Sequence, residues 1–270
     1  MSFLALTPQI WLSLFFVWLL LGAFVYAALI RQLSVRLTPV GEIPRKTFGL
    51  PEALGATLLM SLLVIGLIKG GASTVSKLST EDLINNFILT AVVVLILAGF
   101  LIFRGFDLDA LAGFSKLGLM RAVSIGGILL LMAYPFVFLA DAIVQKMLGE
   151  GATKQNIVEL FSGSVSMQQR VMIIVLAVAV APVAEELVFR FFLYGVLKRY
   201  FGILAGLLVN ALLFAAVHQH LPSFAPLFIL GCCFTLAYEW SGSILVPMTM
   251  HSLFNSFTLV FLALPDWFER

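Results

Sequence analysis

Charged residues are scarce in this sequence. Only 11% of its 270 residues are charged, whereas 61% are hydrophobic and the mean hydropathy is +1.10. Soluble domains carry roughly 25% charged residues, because water must be able to solvate most of their surface. The composition therefore excludes a water-soluble enzyme and a disordered chain, and it predicts that lipid surrounds most of the protein.

Cysteines and clusters of basic residues are also lacking. Cys232 and Cys233 are the only cysteines and are neighbours in an apolar run, which excludes a disulfide scaffold. Sixteen Lys and Arg residues against fourteen Asp and Glu give a net charge of +2 without a basic cluster, so we expect no nucleic-acid partner. No basic residue precedes Arg31, and the first apolar run is too long for a cleaved signal peptide. We expect this run to remain as a transmembrane helix.

Long apolar runs, by contrast, follow one another along the whole chain. A hydrocarbon core about 30 Å thick needs about 20 helical residues. The sequence therefore predicts an all-α integral membrane protein, a bundle of about eight transmembrane helices with a polar intramembrane cavity. The predicted spans are 10–30, 53–68, 83–103, 122–143, 171–197, 201–218, 224–238 and 244–264.

The segments between these spans give weaker signals. The most polar stretch is 145–169, in which a short interfacial helix is predicted at 155–161. Trp11, Trp240 and Trp267 lie near span ends, as expected of an aromatic belt. With the N-terminus outside, nine Lys and Arg fall on the cytoplasmic side and six on the other, and this excess favours that orientation by the positive-inside rule. The nine are Arg31, Arg36, Arg45, Lys46, Arg104, Lys116, Arg121, Lys198 and Arg199.

A few polar residues lie inside the predicted spans, all of them in the C-terminal third. A charged residue at the centre of a membrane helix costs roughly 2.5–3.5 kcal/mol on insertion, so such residues are candidates for function. Our candidates are Glu185, Glu186 and Arg190 in the fifth span, Phe214 and His218 in the sixth, and His251 and Asn255 in the eighth.

The spacing of the charges in the fifth span assigns them different partners. Glu186 and Arg190 are four residues apart, about 40° around a regular helix, and are expected to form an ion pair. Glu185 points about 100° away from Glu186 and is left free for another face. A carboxylate in a partly dehydrated cavity is a stronger base than one in water, which suits Glu185 to general-base chemistry.

Three motifs on three predicted helices together resemble the signature of the CPBP intramembrane proteases. They are Glu185-Glu186-x-x-x-Arg190, Phe214-x-x-x-His218 and His251-x-x-x-Asn255. This family includes the type II CAAX prenyl endopeptidases, or Ras-converting enzymes, and bacteriocin-processing proteins. The resemblance covers 171–257 of a single polytopic domain, 1–270, whose N-terminal helices, 1–145, carry no motif.

The resemblance implies an intramembrane endopeptidase that acts on a membrane-anchored or lipidated substrate, for example a prenylated CAAX protein. Carried over by position, Glu185 is the general base, His218 helps to bind water, and His251 and Asn255 stabilise the oxyanion. Glu186 with Arg190 is the supporting electrostatic pair. No cofactor is certain: the family is often described as metalloproteases, and Glu185, His218 and His251 are the ligands if Zn²⁺ is present. The chain has no His-Glu-x-x-His motif, and a metal-free, glutamate-dependent hydrolase is favoured.

Two other functions remain compatible with these residues. Paired intramembrane acids and histidines also occur in proton relays, so a proton-coupled transporter is one alternative, although the sequence has no repeated halves. The other is a membrane protein of the same fold that binds a partner, such as an immunity protein, without catalysis.

Overall fold

The protein is all-α, and its helices follow the apolar runs of the sequence. The computed structural model describes residues 7–36, 47–70, 80–148 and 166–263. The predicted helix at 155–161 and Trp267 lie outside the described residues. The helices before the fifth apolar run are α1 (Pro8–Arg36), α2 (Leu50–Gly70), α3 (Thr80–Phe103), the short α4 (Leu108–Ala112) and α5 (Leu119–Leu148).

The fifth and sixth predicted spans form one continuous run, Met167–Val217, with a break inside it. Gly202 has φ 81° and ψ 173°, a conformation that is essentially restricted to glycine, and it separates α6 (167–201) from α7 (203–217). Helices α8 (Leu221–Ser241) and α9 (Leu245–Ala263) complete the described chain.

Among the described residues, six helices are long and apolar enough to cross a membrane, and Leu245–Phe261 is a shorter apolar helix. The run 167–217 counts as one of the six, so the eight predicted spans all correspond to helical segments of the structure. The protein is therefore a multi-pass integral membrane protein. The sequence placed the start of the fifth span at residue 171, whereas the helix begins at Met167, because Ser166 accepts a hydrogen bond from the Gln169 N–H as its N-cap.

The centre of the bundle consists of the C-terminal helices and α5. Helix α8 packs against α5 and α7, and α9 packs against α5. A Cβ at Gly126 of α5 would lie 2.9 Å from the Thr249 Cβ, so this glycine allows α5 and α9 to approach closely. Only 6% of the α3 span is buried, against 39% of α5 and of α8, so α3 faces lipid at the periphery.

A short segment before α5 is fixed to the junction of α8 and α9. The Ile244 N–H donates to the Ala112 carbonyl at 2.8 Å, and the Tyr238 hydroxyl donates to the Leu111 carbonyl at 3.0 Å. Gly113 has φ 67°, and a Cβ there would lie 1.9 Å from the Gly242 carbonyl oxygen, so only glycine fits this crossing. These contacts hold α4 at the end of the bundle at which α8 finishes.

Candidate active site

The two neighbouring glutamates of α6 lie where the winding of the helix changes. The backbone is π-helical over Leu176–Val180 and Leu187–Leu193, and the intervening segment Ala181–Glu186 is α-helical. Single π turns occur frequently at functional sites, because they redirect side chains within an otherwise regular helix. The angle of about 40° expected between Glu186 and Arg190 assumed a regular helix, whereas the backbone between them is π-helical. Four residues remain close to one turn in either geometry, so the expected pair still forms.

Glu186, Arg190 and His251 form a buried network. The Arg190 Nη1 donates to Glu186 Oε1 at 2.8 Å, and the His251 Nδ1 lies 2.9 Å from the same oxygen. Glu186 and Arg190 are fully buried and His251 is 3% exposed. Because a carboxylate only accepts, the His251 proton toward Glu186 is on Nδ1, and Nε2 is left to face the other glutamate. The network joins α6 to α9.

Aromatic rings cover the remaining faces of Arg190. Its guanidinium carbon lies 4.2 Å from the Phe214 ring centroid and 5.1 Å from that of Phe234. The two rings also border the imidazole of His251, with centroids 5.7 Å and 5.2 Å away. Arg190 Nε and Nη2 have no hydrogen-bond partner in the structure, so the cation–π contacts provide the additional stabilisation of its charge.

Glu185 has a different environment from its neighbour. Its side chain is 31% exposed, and its Oε2 lies 3.8 Å from His251 Nε2. This distance is too long for a direct hydrogen bond. Glu185 lines a cavity of about 190 Å³, which is large enough for several water molecules.

The same cavity contains the histidine at the end of α7. The His218 Nδ1 lies 2.7 Å from the Phe214 carbonyl oxygen. Since a carbonyl only accepts, Nδ1 carries a proton, and in the tautomer with its single proton there Nε2 is an acceptor. Phe214 thus has two roles, because its carbonyl orients His218 and its ring lies against Arg190.

Asn255 of α9 binds a backbone carbonyl that α6 leaves without an intrahelical donor. The Ala181 N–H donates to the Leu176 carbonyl, one residue further back than in an α-helix, and the following residue, Pro182, has no N–H. The Ala177 carbonyl instead accepts from Asn255 Nδ2 at 2.7 Å. The amide nitrogen has two hydrogens, so one N–H remains available in the cavity.

The structure thus brings five of the sequence candidates to one cavity: Glu185, Phe214, His218, His251 and Asn255 all line it. Glu186 and Arg190 lie behind it in the buried network. Phe234 and the carbonyl of Ala177 were not among the residues predicted from the sequence. Phe234 had no signal, because an aromatic residue in an apolar span is ordinary. Pro182, three residues before Glu185 in a membrane helix, did signal an irregular backbone.

The three residues named as ligands in case zinc is present are not grouped as a metal site in the described residues. In the described part of the chain, no group of three or more His, Cys, Asp or Glu side chains is arranged to hold a metal ion. The His251 Nδ1 is bound to Glu186, and its Nε2 is 3.8 Å from Glu185. In the described residues Glu185, His218 and His251 are thus not arranged around a common ion, and we assign no role to a metal.

Comparison with known proteins places the similarity in this same region. Residues 167–257 match the model of a family described as type II CAAX prenyl endopeptidase Rce1-like. A membrane-embedded CAAX protease, MroQ of Staphylococcus aureus (strain USA300), is 32% identical over 88 residues, which are 30% of this chain and 36% of that protein. The chain thus spans about a third of its curated relative. No solved structure matches the chain.

Proposed function

We propose, from the Rce1-like family domain at residues 167–257, that this protein is an intramembrane endopeptidase in which Glu185 activates water. One observation carries the proposal: a carboxylate, two imidazoles and a carboxamide from α6, α7 and α9 line one cavity among apolar helices. Hydrolysis of a peptide bond in a membrane needs a base, a place for water and hydrogen-bond donors to the oxyanion. These four side chains supply all three.

Glu185 and His218 are suited to bind and activate the water. Glu185 lines the cavity with a side chain that is 31% exposed, whereas its Oε2 is buried and faces His251 across 3.8 Å. His218 Nε2 is an acceptor, because Nδ1 donates to Phe214, and so it can accept a proton of the same water. In the proposed reaction Glu185 takes one proton, the hydroxide attacks the scissile carbonyl carbon, and Glu185 then protonates the leaving amine.

Asn255 and His251 are the proposed donors to the oxyanion. One N–H of the Asn255 amide is held by Ala177, which fixes the plane of the amide and directs the second N–H. His251 donates from Nε2 only when both ring nitrogens are protonated, because Nδ1 is bound to Glu186. We propose that Glu186 orients the ring and stabilises its protonated form in the transition state, while Arg190 balances the charge of Glu186.

The lining of the cavity supports an apolar substrate. Leu227, Leu230, Phe254 and Leu259 form walls around the four polar side chains. We propose a membrane-anchored or lipidated peptide with aliphatic residues next to the scissile bond, such as a prenylated CAAX sequence, in which two aliphatic residues follow the cysteine. The lipid bilayer would hold such a peptide at the depth of the cavity.

The test compares Glu185→Gln with the wild type in detergent, on a fluorogenic prenylated CAAX peptide and on its unprenylated form. We expect hydrolysis by Glu185→Gln to fall at least about 100-fold, because the amide cannot accept the proton of water. The unfolding temperature should stay close to that of the wild type, since Glu185 is partly exposed and has no direct hydrogen bond. Glu81→Gln is the matched control, because Glu81 is exposed at the start of α3. The activity of this variant should equal that of the wild type.

Each part of the proposal has its own contradicting result. Full activity of Glu185→Gln would overturn the role of Glu185. No cleavage of either peptide or of other lipidated peptides by the wild type would favour the non-enzymatic alternative. We expect activity to persist with 1,10-phenanthroline; loss that Zn²⁺ restores would overturn the metal-free reaction.

A further inference from the structure

A second and larger cavity lies at the other end of α6. Its volume is about 530 Å³, and its walls come from the C-terminal ends of α6 and α8 and from the segment around α4. Three basic residues line it, Lys116, Lys198 and Arg199. None of the residues to which we assign a role in hydrolysis lines this cavity.

The two cavities are separated along the axis of the bundle. On α6, Phe191 and Tyr194 of the second cavity are six and nine residues beyond Glu185 of the first. Arg190 and Phe234, both fully buried, lie between the two levels. The second cavity is at the end of the bundle at which α1 finishes, because Trp240 Nε1 donates to Gln32 Oε1 at 2.7 Å. By the count of basic residues, this is the predicted cytoplasmic end.

The positive charge of this cavity is only partly neutralised. The acidic residue that lines it is Glu239, whose carboxylate accepts from Lys198 Nζ and, at 3.0 Å, from the Tyr194 hydroxyl. Lys116 and Arg199 are exposed, and neither forms an ion pair within the described ranges. Two cations at the mouth of the cavity therefore remain available for an anion.

The backbone at the mouth fixes where one of these cations lies. Gly242 ends α8 with φ 63°, and a Cβ there would lie 2.8 Å from Lys116 Nζ. The Lys116 ammonium group thus lies next to this turn. The side chains of Phe48, Leu111 and Phe191 form the apolar part of the same cavity.

We propose that this cavity binds the phosphate of an anionic phospholipid headgroup. Arginine offers a planar pair of donors to phosphate and lysine offers a point charge, so Arg199 and Lys116 together suit a phosphodiester. Basic pockets between transmembrane helices on the cytoplasmic side bind anionic headgroups in this way. The apolar walls would contact the glycerol and the first methylene groups, which a free phosphate lacks.

The experiment measures lipid binding to the full chain in neutral detergent by native mass spectrometry and by the unfolding temperature. The lipids are phosphatidylglycerol and phosphatidylcholine with identical acyl chains. We expect the wild type to retain phosphatidylglycerol preferentially and to unfold at a higher temperature with it. In the double variant Lys116→Gln/Arg199→Gln, affinity for phosphatidylglycerol should fall at least about tenfold, because each basic residue near the surface contributes to the attraction.

The matched control is Arg31→Gln/Arg121→Gln, which removes two exposed cations from the same end of the bundle but none from the cavity. It should bind phosphatidylglycerol as the wild type does. An equal loss in both double variants, or no loss in Lys116→Gln/Arg199→Gln, would overturn the proposal. Equal stabilisation by glycerol 3-phosphate would also overturn it, since a soluble phosphate would then be the ligand. Peptide hydrolysis is not the readout, so this result is independent of the proposed peptidase activity.

Discussion

Glu185 and Glu186 are neighbours in sequence, and their surroundings are nearly opposite. The Glu185 side chain is 31% exposed toward a cavity, whereas Glu186 is fully buried between Arg190 and His251. Charges taken out of water are tolerated only when they are paired, and Glu186 is paired through Oε1 with both neighbours, while its Oε2 has no hydrogen-bond partner. Glu185 is therefore suited to chemistry, whereas Glu186 holds the site together.

This contrast predicts different effects of the same substitution at the two positions. Glu186→Gln leaves the charge of Arg190 unbalanced in the core, so we expect a loss of roughly 3–5 kcal/mol in unfolding free energy. The glutamine oxygen can still accept from His251, so the loss reports the charge rather than the hydrogen bond. Thermal unfolding in detergent, with Glu185→Gln in parallel, checks this expectation.

A second variant shows whether the loss comes from the unpaired arginine. Glu186→Gln/Arg190→Met removes both charges and should recover part of the stability lost in Glu186→Gln. Equal unfolding temperatures of Glu185→Gln and Glu186→Gln would contradict our interpretation of the network.

The element that matters most for the site is α6, because its backbone is irregular on both sides of the two glutamates. Leu176–Val180 and Leu187–Leu193 are π-helical, and Pro182 lies between them. A regular α-helix bonds its own carbonyls, whereas here the Ala177 carbonyl depends on Asn255 of α9. The irregularity therefore connects α6 to α9 next to the cavity.

This dependence predicts that Asn255 and Pro182 are energetically coupled. Asn255→Ala leaves the Ala177 carbonyl without a donor and should cost about 1–3 kcal/mol of stability. Pro182→Ala restores an N–H to α6, so Asn255→Ala should cost less in that background, with a coupling of about 0.5–3 kcal/mol. A double-mutant cycle on thermal unfolding measures the coupling.

Thr258→Ala provides the control for this cycle, because Thr258 also lines the cavity but bonds within its own helix, to the Phe254 carbonyl at 2.9 Å. The effects of Thr258→Ala and Pro182→Ala on the free energy of unfolding should add. If the losses of unfolding free energy in Asn255→Ala and Pro182→Ala simply add, the two residues act independently. That result would contradict our interpretation that Asn255 replaces the donor that Pro182 lacks.

At the scale of the whole molecule, the unequal distribution of basic residues predicts how the bundle crosses the membrane. Arg121 and Lys146 lie near opposite ends of α5 and are both exposed. With the N-terminus outside, Arg121 is cytoplasmic and Lys146 is on the other side. In intact cells, a membrane-impermeant maleimide should label Lys146→Cys and should label Arg121→Cys only after permeabilisation.

The wild type is the control, since Cys232 and Cys233 lie within α8 in the apolar part of the bundle and should not react with the reagent. The reverse labelling pattern would contradict the orientation and would place the second cavity at the outer leaflet.

Much of this structure could be predicted from the sequence, because membrane helices and pairs within one helix depend on residues that are close together in the chain. Hydropathy over about 20 residues identifies a membrane helix without knowledge of its neighbours, and the helices of the structure follow the eight predicted spans. The ion pair of Glu186 and Arg190 was also predictable, since residues four apart share a face. The pair forms although the backbone from Leu187 to Leu193 is π-helical, which was not predicted.

What the sequence by itself determined is thus the membrane environment, the helices and the few polar residues placed in lipid at high cost. Only the tertiary structure decided which of them meet. The distance between Glu185 of α6 and His251 of α9, the carbonyl that Asn255 binds, and the ring of Phe234 over Arg190 all depend on how separate helices pack. Packing is a long-range property, because each helix is apolar on most faces and its hydropathy does not select a partner.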